Sequence, residues 1–117
     1  MYVEGFIVAV PKENKEAYLT QAKKSAGIFK KLGATRVVEC WQNDVPHGKV
    51  TDFYGAVKAK ENEDVLFSWI EYPSKDIRDK AYKGMMEDPE MKEMGKSMPF
   101  DGSRMIFGGF ESILDAH

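Results

Sequence analysis

The chain has 117 residues, of which 43% are hydrophobic and 31% are charged, and its formal net charge is −2 at pH 7. A chain of this length can bury a core of its own, and this composition excludes intrinsic disorder. The slightly acidic charge argues against a nucleic-acid partner, because phosphate binding needs an excess of basic residues. The sequence therefore predicts a single domain over residues 1–117.

Cysteine content and hydropathy indicate the compartment. Cys40 is the only cysteine, so an internal disulfide is excluded, as is usual for proteins of a reducing compartment. Residues 1–5 lack the basic region of a signal peptide, and the apolar stretch 5–10 is far shorter than the about 20 residues of a membrane span. We expect a cytoplasmic protein with no membrane partner.

The first part of the chain is predicted to form a strand, a helix and a second strand. Residues 2–10 are rich in β-branched and aromatic side chains and end at Pro11, which cannot donate to a strand ladder. Apolar residues then recur at helical spacing, with Asn14 as the candidate N-cap and Gly33 as the glycine that ends the helix. Strand-forming residues return over 35–41.

The second part repeats the strand and helix pattern. The stretch 52–63 is ambiguous between a helical turn and an irregular excursion, and residues 65–72 form the third predicted strand. Ser74 is the candidate N-cap of a second helix, which the Asp88-Pro89 pair interrupts. The last predicted strand covers residues 105–114, and it contains two adjacent glycines that indicate a bulge or a close backbone approach.

The resulting order, β-α-β-β-α-β, is the α+β ferredoxin-like sandwich. Helices of such a domain cover one face of the sheet, yet the predicted strands 2–10 and 65–72 are apolar on both faces. A two-fold homodimer with the sheets face to face would cover the second face. The alternative is a monomer whose open apolar face is a ligand cleft.

Several segments resemble the DUF1428 family of small bacterial proteins. The most specific is the turn Met98-Pro-Phe-Asp-Gly with the strand that follows it to Glu111, and the others are residues 2–6, 48–53, 56–60 and 67–70. The resemblance implies the dimeric α/β barrel version of the ferredoxin-like fold. It implies no reaction, because the family is defined as one of unknown function. The wider superfamily of this fold includes cofactor-free monooxygenases.

Arg104 and Asp101 form one candidate polar site. An arginine at the mouth of a strand beside an aspartate could bind a carboxylate or phosphate group through two hydrogen bonds. Alternatively, Asp101 caps its own turn, and Arg104 forms a structural ion pair with an acid such as Glu39 or Glu111. Turn aspartates commonly bond their own backbone, which favours the second interpretation.

Aromatic and acidic residues on the predicted strands form a second set of candidates. Trp41, Phe67 and Trp69 could line an apolar pocket, either between the sheet and the helices or inside the barrel, although such aromatics are more often core residues. Glu4 and Glu39 each lie within an otherwise apolar strand. A carboxylate inside a barrel must be paired or have a raised pKa, which suits acid–base chemistry, whereas a rim position facing water needs neither.

Metal and nucleophile chemistry receive little support from the sequence. His47 and His117 are widely separated and lack the spacing of metal ligands, so we expect no metal and no cofactor. Cys40 has no nearby histidine to activate it and is expected to be a small buried hydrophobic residue. Met85, Met86, Met91, Met94 and Met98 gather around the second predicted helix. Such side chains suit either a core or a promiscuous binding wall, and core packing is the expected role.

We therefore expect a cytoplasmic homodimer that binds a small apolar or amphipathic molecule. Trp41, Phe67 and Trp69 would shape its pocket, and Glu39 and Arg104, with Asp101 beside it, would supply the polar contacts. One alternative is a cofactor-independent monooxygenase that uses Glu39 or His47 to deprotonate its substrate. The other is a purely structural or regulatory dimer whose interior is fully packed.

Overall fold

Four antiparallel strands form one sheet in the order β2-β3-β1-β4 in the computed structural model, which describes residues 1–117. The strands are β1 (Tyr2–Pro11), β2 (Arg36–Trp41), β3 (Glu63–Tyr72) and β4 (Ile106–Glu111), and the helices are α1 (Lys15–Lys31), α2 (Phe53–Ala56), α3 (Lys75–Glu87) and α4 (Pro89–Met94). This topology confirms the predicted ferredoxin-like order, with α1 and α3 as its two principal helices. None of the helices is long and apolar enough to cross a membrane.

Local signals account for most of the helix ends. Gly33 follows the last turn of α1 with a φ of +119°, a conformation that favours glycine. The Ser74 hydroxyl accepts a hydrogen bond from the Ile77 backbone N–H, and the Asp88 carboxylate caps α4. Asn14 occupies the N-cap position of α1, as predicted, but its side chain makes no capping bond and its Nδ2 instead donates to the Pro99 carbonyl at 2.8 Å.

β3 and β4 show the largest differences from the predicted strand boundaries, whereas β1 and β2 each differ by one residue. β3 begins two residues earlier than predicted, at Glu63, whose carboxylate accepts a hydrogen bond from the Lys60 backbone N–H at 2.8 Å. β4 covers only residues 106–111, and the chain then leaves the sheet after the Ser112 N–H donates to the Met1 carbonyl. The ambiguous stretch 52–63 contains the short helix α2.

The two adjacent glycines of β4 do not form a bulge, and one of them allows the Tyr2 side chain to approach the strand backbone closely. The pairing of β4 with β1 is continuous, with Gly108 opposite Gly5 and Gly109 opposite Glu4. A Cβ at position 109 would overlap the Tyr2 side chain, whereas one at position 108 would make ordinary contacts. Tyr2 therefore packs over Gly109, which leaves the strand pairing intact.

The two faces of the sheet have different coverings. The helix-covered face carries the buried clusters of Val8, Val10 and Leu66 and of Ile70 and Tyr72. The opposite face is covered at one end only, where Ala9 and Val65 of the sheet pack with Val57 beside α2. We call the rest of this second face the open face. It consists of apolar side chains from three strands: Val3, Ile7, Phe67, Trp69, Ile106 and Phe110.

Candidate functional site

A cavity of about 420 Å³ lies between the helix-covered face of the sheet and the helices. Hydrophobic residues make up 17 of its 22 lining residues. Its walls come from β1, β2, β3 and α1, from the methionine-rich segment that runs from α3 onwards, and from the start of β4. The lining residues are Glu4, Phe6, Val8, Tyr18, Gln21, Ala22, Ser25, Ala26, Phe29, Val37, Glu39, Ser68, Trp69, Ile70, Tyr82, Met85, Met91, Met94, Met98, Phe100, Met105 and Phe107. We call it the helix-side cavity.

Strand register brings two acidic residues to this cavity. Side chains alternate between the two faces of a strand, so Glu4 shares its face with Phe6 and Val8 of β1. Glu39 of β2 lies opposite Ser68 of β3, and Ser68 lies opposite Phe6. Both carboxylates thus stand on the helix-covered face, where they border the cavity.

Glu39 forms the polar centre of one wall. Its Oε1 accepts a hydrogen bond from the Tyr18 hydroxyl of α1 at 2.7 Å. Burial among protein atoms raises the pKa of Glu39, although hydrogen bonds from Tyr18 and Ser68 act in the opposite direction. Burial and the adjacent Glu39 together raise the pKa of Tyr18, which therefore stays protonated and remains a hydrogen-bond donor.

Glu4 is more deeply enclosed and has a basic neighbour. The residue is 4% exposed, and Arg78 Nη1 of α3 lies 3.7 Å from its Oε1. Burial raises the pKa of Glu4, and the charge of Arg78 partly offsets that effect. Arg78 is engaged elsewhere as well, since its Nη2 donates to the Tyr2 hydroxyl at 3.1 Å and its Nε donates to Asp79 at 2.9 Å.

The three predicted aromatic residues do not share one pocket. Trp41 lies on the helix-covered face, where its ring packs edge-on against Tyr18 and its Nε1 donates to Asp64 at 2.8 Å. The side chains of Phe67 and Trp69 project from the open face with ring centroids 5.9 Å apart, although Trp69 also borders the helix-side cavity. Trp41 and Phe67 therefore project from opposite faces of the sheet, although both also border a smaller cavity of about 240 Å³ near the end of β2.

Arg104 and Asp101 lie outside the helix-side cavity, in a network that joins the turn before β4 to the start of β3. The guanidinium group binds both carboxylate oxygens of Glu63, with distances of 2.7 and 2.6 Å. It also donates to Asp101 Oδ2 at 3.0 Å and to the Lys58 carbonyl at 2.8 Å. Asp101 caps its own turn through the Ser103 N–H, as predicted, but the acid that pairs with Arg104 is Glu63.

The remaining reactive residues also lie away from the helix-side cavity. His47 is exposed, and its ring stacks on Tyr54 with centroids 4.3 Å apart. Cys40 is exposed on the edge strand β2, so the prediction that it is buried is wrong. His117 lies beside Asp115 near the C-terminus. No three His, Cys, Asp or Glu side chains are grouped closely enough to hold a metal ion.

Sequence reasoning missed Tyr18 and Ser68 as polar residues of a site. Tyr18 occupies the apolar stripe of the first predicted helix, and no local signal shows that its hydroxyl meets a carboxylate of β2. The expectation that the clustered methionines pack in the core is wrong, because none of them is buried. Of the five around the second predicted helix, Met85, Met91, Met94 and Met98 border the cavity, whereas Met86 is exposed.

Comparisons with known proteins agree on the family and the fold. A family model described as a protein of unknown function (DUF1428) matches residues 1–102. The chain is 67% identical over 114 residues to the uncharacterized protein YbaA of Escherichia coli K12 and to that of Shigella flexneri, with 97% of each chain covered. A solved dimeric ferredoxin-like protein from an uncultured marine organism superposes with a TM-score of 0.67 at 14% identity, covering 100% of this chain and 99% of its own. The chain therefore belongs to the DUF1428 family and has the ferredoxin-like fold.

Proposed function

We propose that the protein is a homodimer that binds a small amphipathic molecule in the helix-side cavity. The observation that carries this proposal is the cavity itself, with about 420 Å³ of space and mostly hydrophobic walls. Small-molecule sites commonly have volumes of about 300–1,000 Å³, apolar linings and a few polar groups that orient the ligand. Glu4 and the hydrogen-bonded pair of Glu39 and Tyr18 would be those polar groups.

The cavity favours ligand binding over a purely structural role. The cavity is partly open to solvent, so its apolar walls are in contact with water when no ligand is present. A bound apolar group would remove this surface from water, which is favourable. Methionine side chains suit such a wall because they are unbranched and adapt their shape to different ligands.

The open face supports the homodimer. Phe67 is 49% exposed and Phe110 is 63% exposed, and both belong to a continuous apolar surface. Contiguous exposed apolar patches of this kind mark interaction sites, because a patch left open to water lowers the solubility of the monomer. The solved dimeric relative of this fold provides further support for pairing of the sheets face to face.

Filling the helix-side cavity tests the binding proposal. N-phenyl-1-naphthylamine, a neutral fluorescent probe of apolar sites, should bind the protein and brighten. Ala26→Phe should weaken this binding at least about tenfold, because the ring would occupy space that the probe needs. Ala17→Phe is the matched control, since Ala17 lies on the same helix and does not line the cavity.

Two further readouts make this test decisive. Circular dichroism melting shows whether each variant is folded, and Ala22→Phe provides a second filling variant from the same wall. Native mass spectrometry of the purified protein should reveal a bound small molecule. Undiminished probe binding by both folded filling variants would contradict the assignment of the cavity. Failure of the wild-type protein to bind the probe, with no molecule carried through purification, would contradict ligand binding itself.

One observation supports an enzymatic alternative, a cofactor-independent monooxygenase. Glu39 borders the apolar cavity while staying accessible to solvent, and partial desolvation raises its pKa, which is suitable for a general base that removes a proton from an electron-rich substrate. His47, the other candidate base, is exposed outside the cavity. Oxygen consumption with quinol substrates should then occur and be lost in Glu39→Gln. Consumption unchanged in that variant, or absent from the wild-type protein, would argue against this alternative.

A further inference from the structure

The polar lining of the helix-side cavity has an unbalanced charge. Five of its lining residues are not hydrophobic: Glu4, Gln21, Ser25, Glu39 and Ser68. Lysine, arginine and histidine are absent from the lining, so both of its ionisable acidic groups lack a basic counterpart within the wall. An anionic ligand would be repelled by the two carboxylates, and the basic group that lies near one of them, Arg78 beside Glu4, is outside the lining.

Glu39 has no cation beside it. Its hydrogen-bonding partners are the neutral hydroxyl groups of Tyr18 and Ser68. Its carboxylate has about four acceptor positions, and because the residue is exposed, those that the two hydroxyl groups leave open face solvent and can be taken over by a ligand. Because β2 is an edge strand, Glu39 is also accessible to a ligand that enters from solvent.

Glu4 adds a second carboxylate to the lining of the cavity. It is almost completely buried, and its basic neighbour is Arg78, whose Nη1 lies 3.7 Å from Oε1 and therefore beyond hydrogen-bonding distance. Arg78 also donates to Asp79 and to the Tyr2 hydroxyl. The cost of burying a carboxylate falls when a further cation enters the same cavity.

We propose that the ligand of the helix-side cavity is an amphipathic organic cation. Its protonated amine pairs with Glu39, and its apolar body packs against the methionine side chains that line the cavity. This inference rests on the proposed function and specifies the class of ligand. The aromatic and methionine side chains of the wall suit such a molecule, since ring faces and polarizable sulfur atoms attract a cation as well as apolar groups.

Three probes with one hydrocarbon chain test the charge of the ligand: n-nonylamine, 1-nonanol and nonanoate, each displacing N-phenyl-1-naphthylamine below its micellar concentration. The wild-type protein should bind the amine about tenfold or more tighter than the alcohol, because a hydrogen bond to a charged partner exceeds a neutral one by that margin, and the carboxylate should bind weakest. Glu39→Gln should abolish the preference for the amine by lowering the affinity for the amine to about that for the alcohol.

Matched variants locate the effect at Glu39. Glu111→Gln removes an exposed carboxylate outside the cavity and should keep the preference for the amine. Tyr18→Phe frees Oε1 of Glu39 and should keep or increase it. Equal affinity of the amine and the alcohol for the wild-type protein, or a preference that persists in Glu39→Gln, would overturn the assignment of a cation while the binding proposal stands. Failure of all three probes, together with failure of the fluorescent probe, would overturn both.

Discussion

Replacing Arg104 with methionine should lower the free energy of unfolding by about 3 kcal/mol, because it leaves a buried carboxylate without its counter-ion. Glu63 has a side chain that is only 4% exposed, and Arg104 supplies two of its hydrogen bonds. The variant would also release the turn before β4, which the same guanidinium group holds through Asp101 and the Lys58 carbonyl. Binding of the fluorescent probe to the folded variant should be unchanged, since Arg104 lies outside the cavity.

Denaturant unfolding monitored by circular dichroism measures this effect. Arg36→Met is the matched control, because Arg36 forms an exposed ion pair with Glu71 at 3.6 Å. Such surface pairs contribute about 0–1 kcal/mol, so this control should be close to the wild-type protein. The double variant Arg104→Met/Glu63→Met should recover part of the loss, because it removes both charges together. A loss in Arg104→Met no larger than in Arg36→Met would contradict the network.

The same network predicts how the loss depends on pH. Hydrogen bonds from Arg104 lower the pKa of Glu63, and bonds from Ser103 and Arg104 lower the pKa of Asp101 to about 2. A carboxyl group whose pKa is lowered by folding stabilises the protein above its unfolded pKa, which is about 4, and loses that contribution as the pH falls through its folded value. The difference between wild type and Arg104→Met should therefore be largest near neutral pH and shrink in acid.

Replacing Phe67 with glutamate should convert the proposed dimer into a monomer. Phe67 lies in the middle of the open face, on the interior strand β3, between Ile7 of β1 and Cys40 of β2. Pairing of the sheets about a two-fold axis would bury a glutamate from each protomer in an apolar interface. The uncompensated charges should raise the dissociation constant by about a hundredfold or more.

Sedimentation equilibrium over a range of protein concentrations measures this change. Met86→Glu is the control, because Met86 is 58% exposed on α3, on the opposite side of the sheet, and its replacement should leave the dimer intact. Circular dichroism melting confirms that both variants fold. A wild-type protein that sediments as a monomer, or a Phe67→Glu variant that remains dimeric, would contradict pairing through the open face.

Local chemistry in the sequence determined the order of the elements. Pro11 and Pro89 limit where a strand can continue and a helix can begin, Ser74 supplies a side-chain oxygen for a helix start, and Gly33 adopts a positive φ that ends α1. These signals act within a few residues of chain, so they can be interpreted without knowledge of distant contacts. The apolar pattern on both faces of β1 and β3 is local in the same sense, and it predicted the open face.

Only the tertiary structure decided which residues meet. The register of β2 against β3 places Trp41 opposite Leu66, and therefore on the face away from Phe67 and Trp69. Arg104 pairs with Glu63, 41 residues earlier in the chain, because the turn before β4 packs beside the start of β3. Tyr18 reaches Glu39 through the packing of α1 on the sheet. Such contacts depend on register and helix packing over long separations, which hydrophobic periodicity in the sequence does not specify.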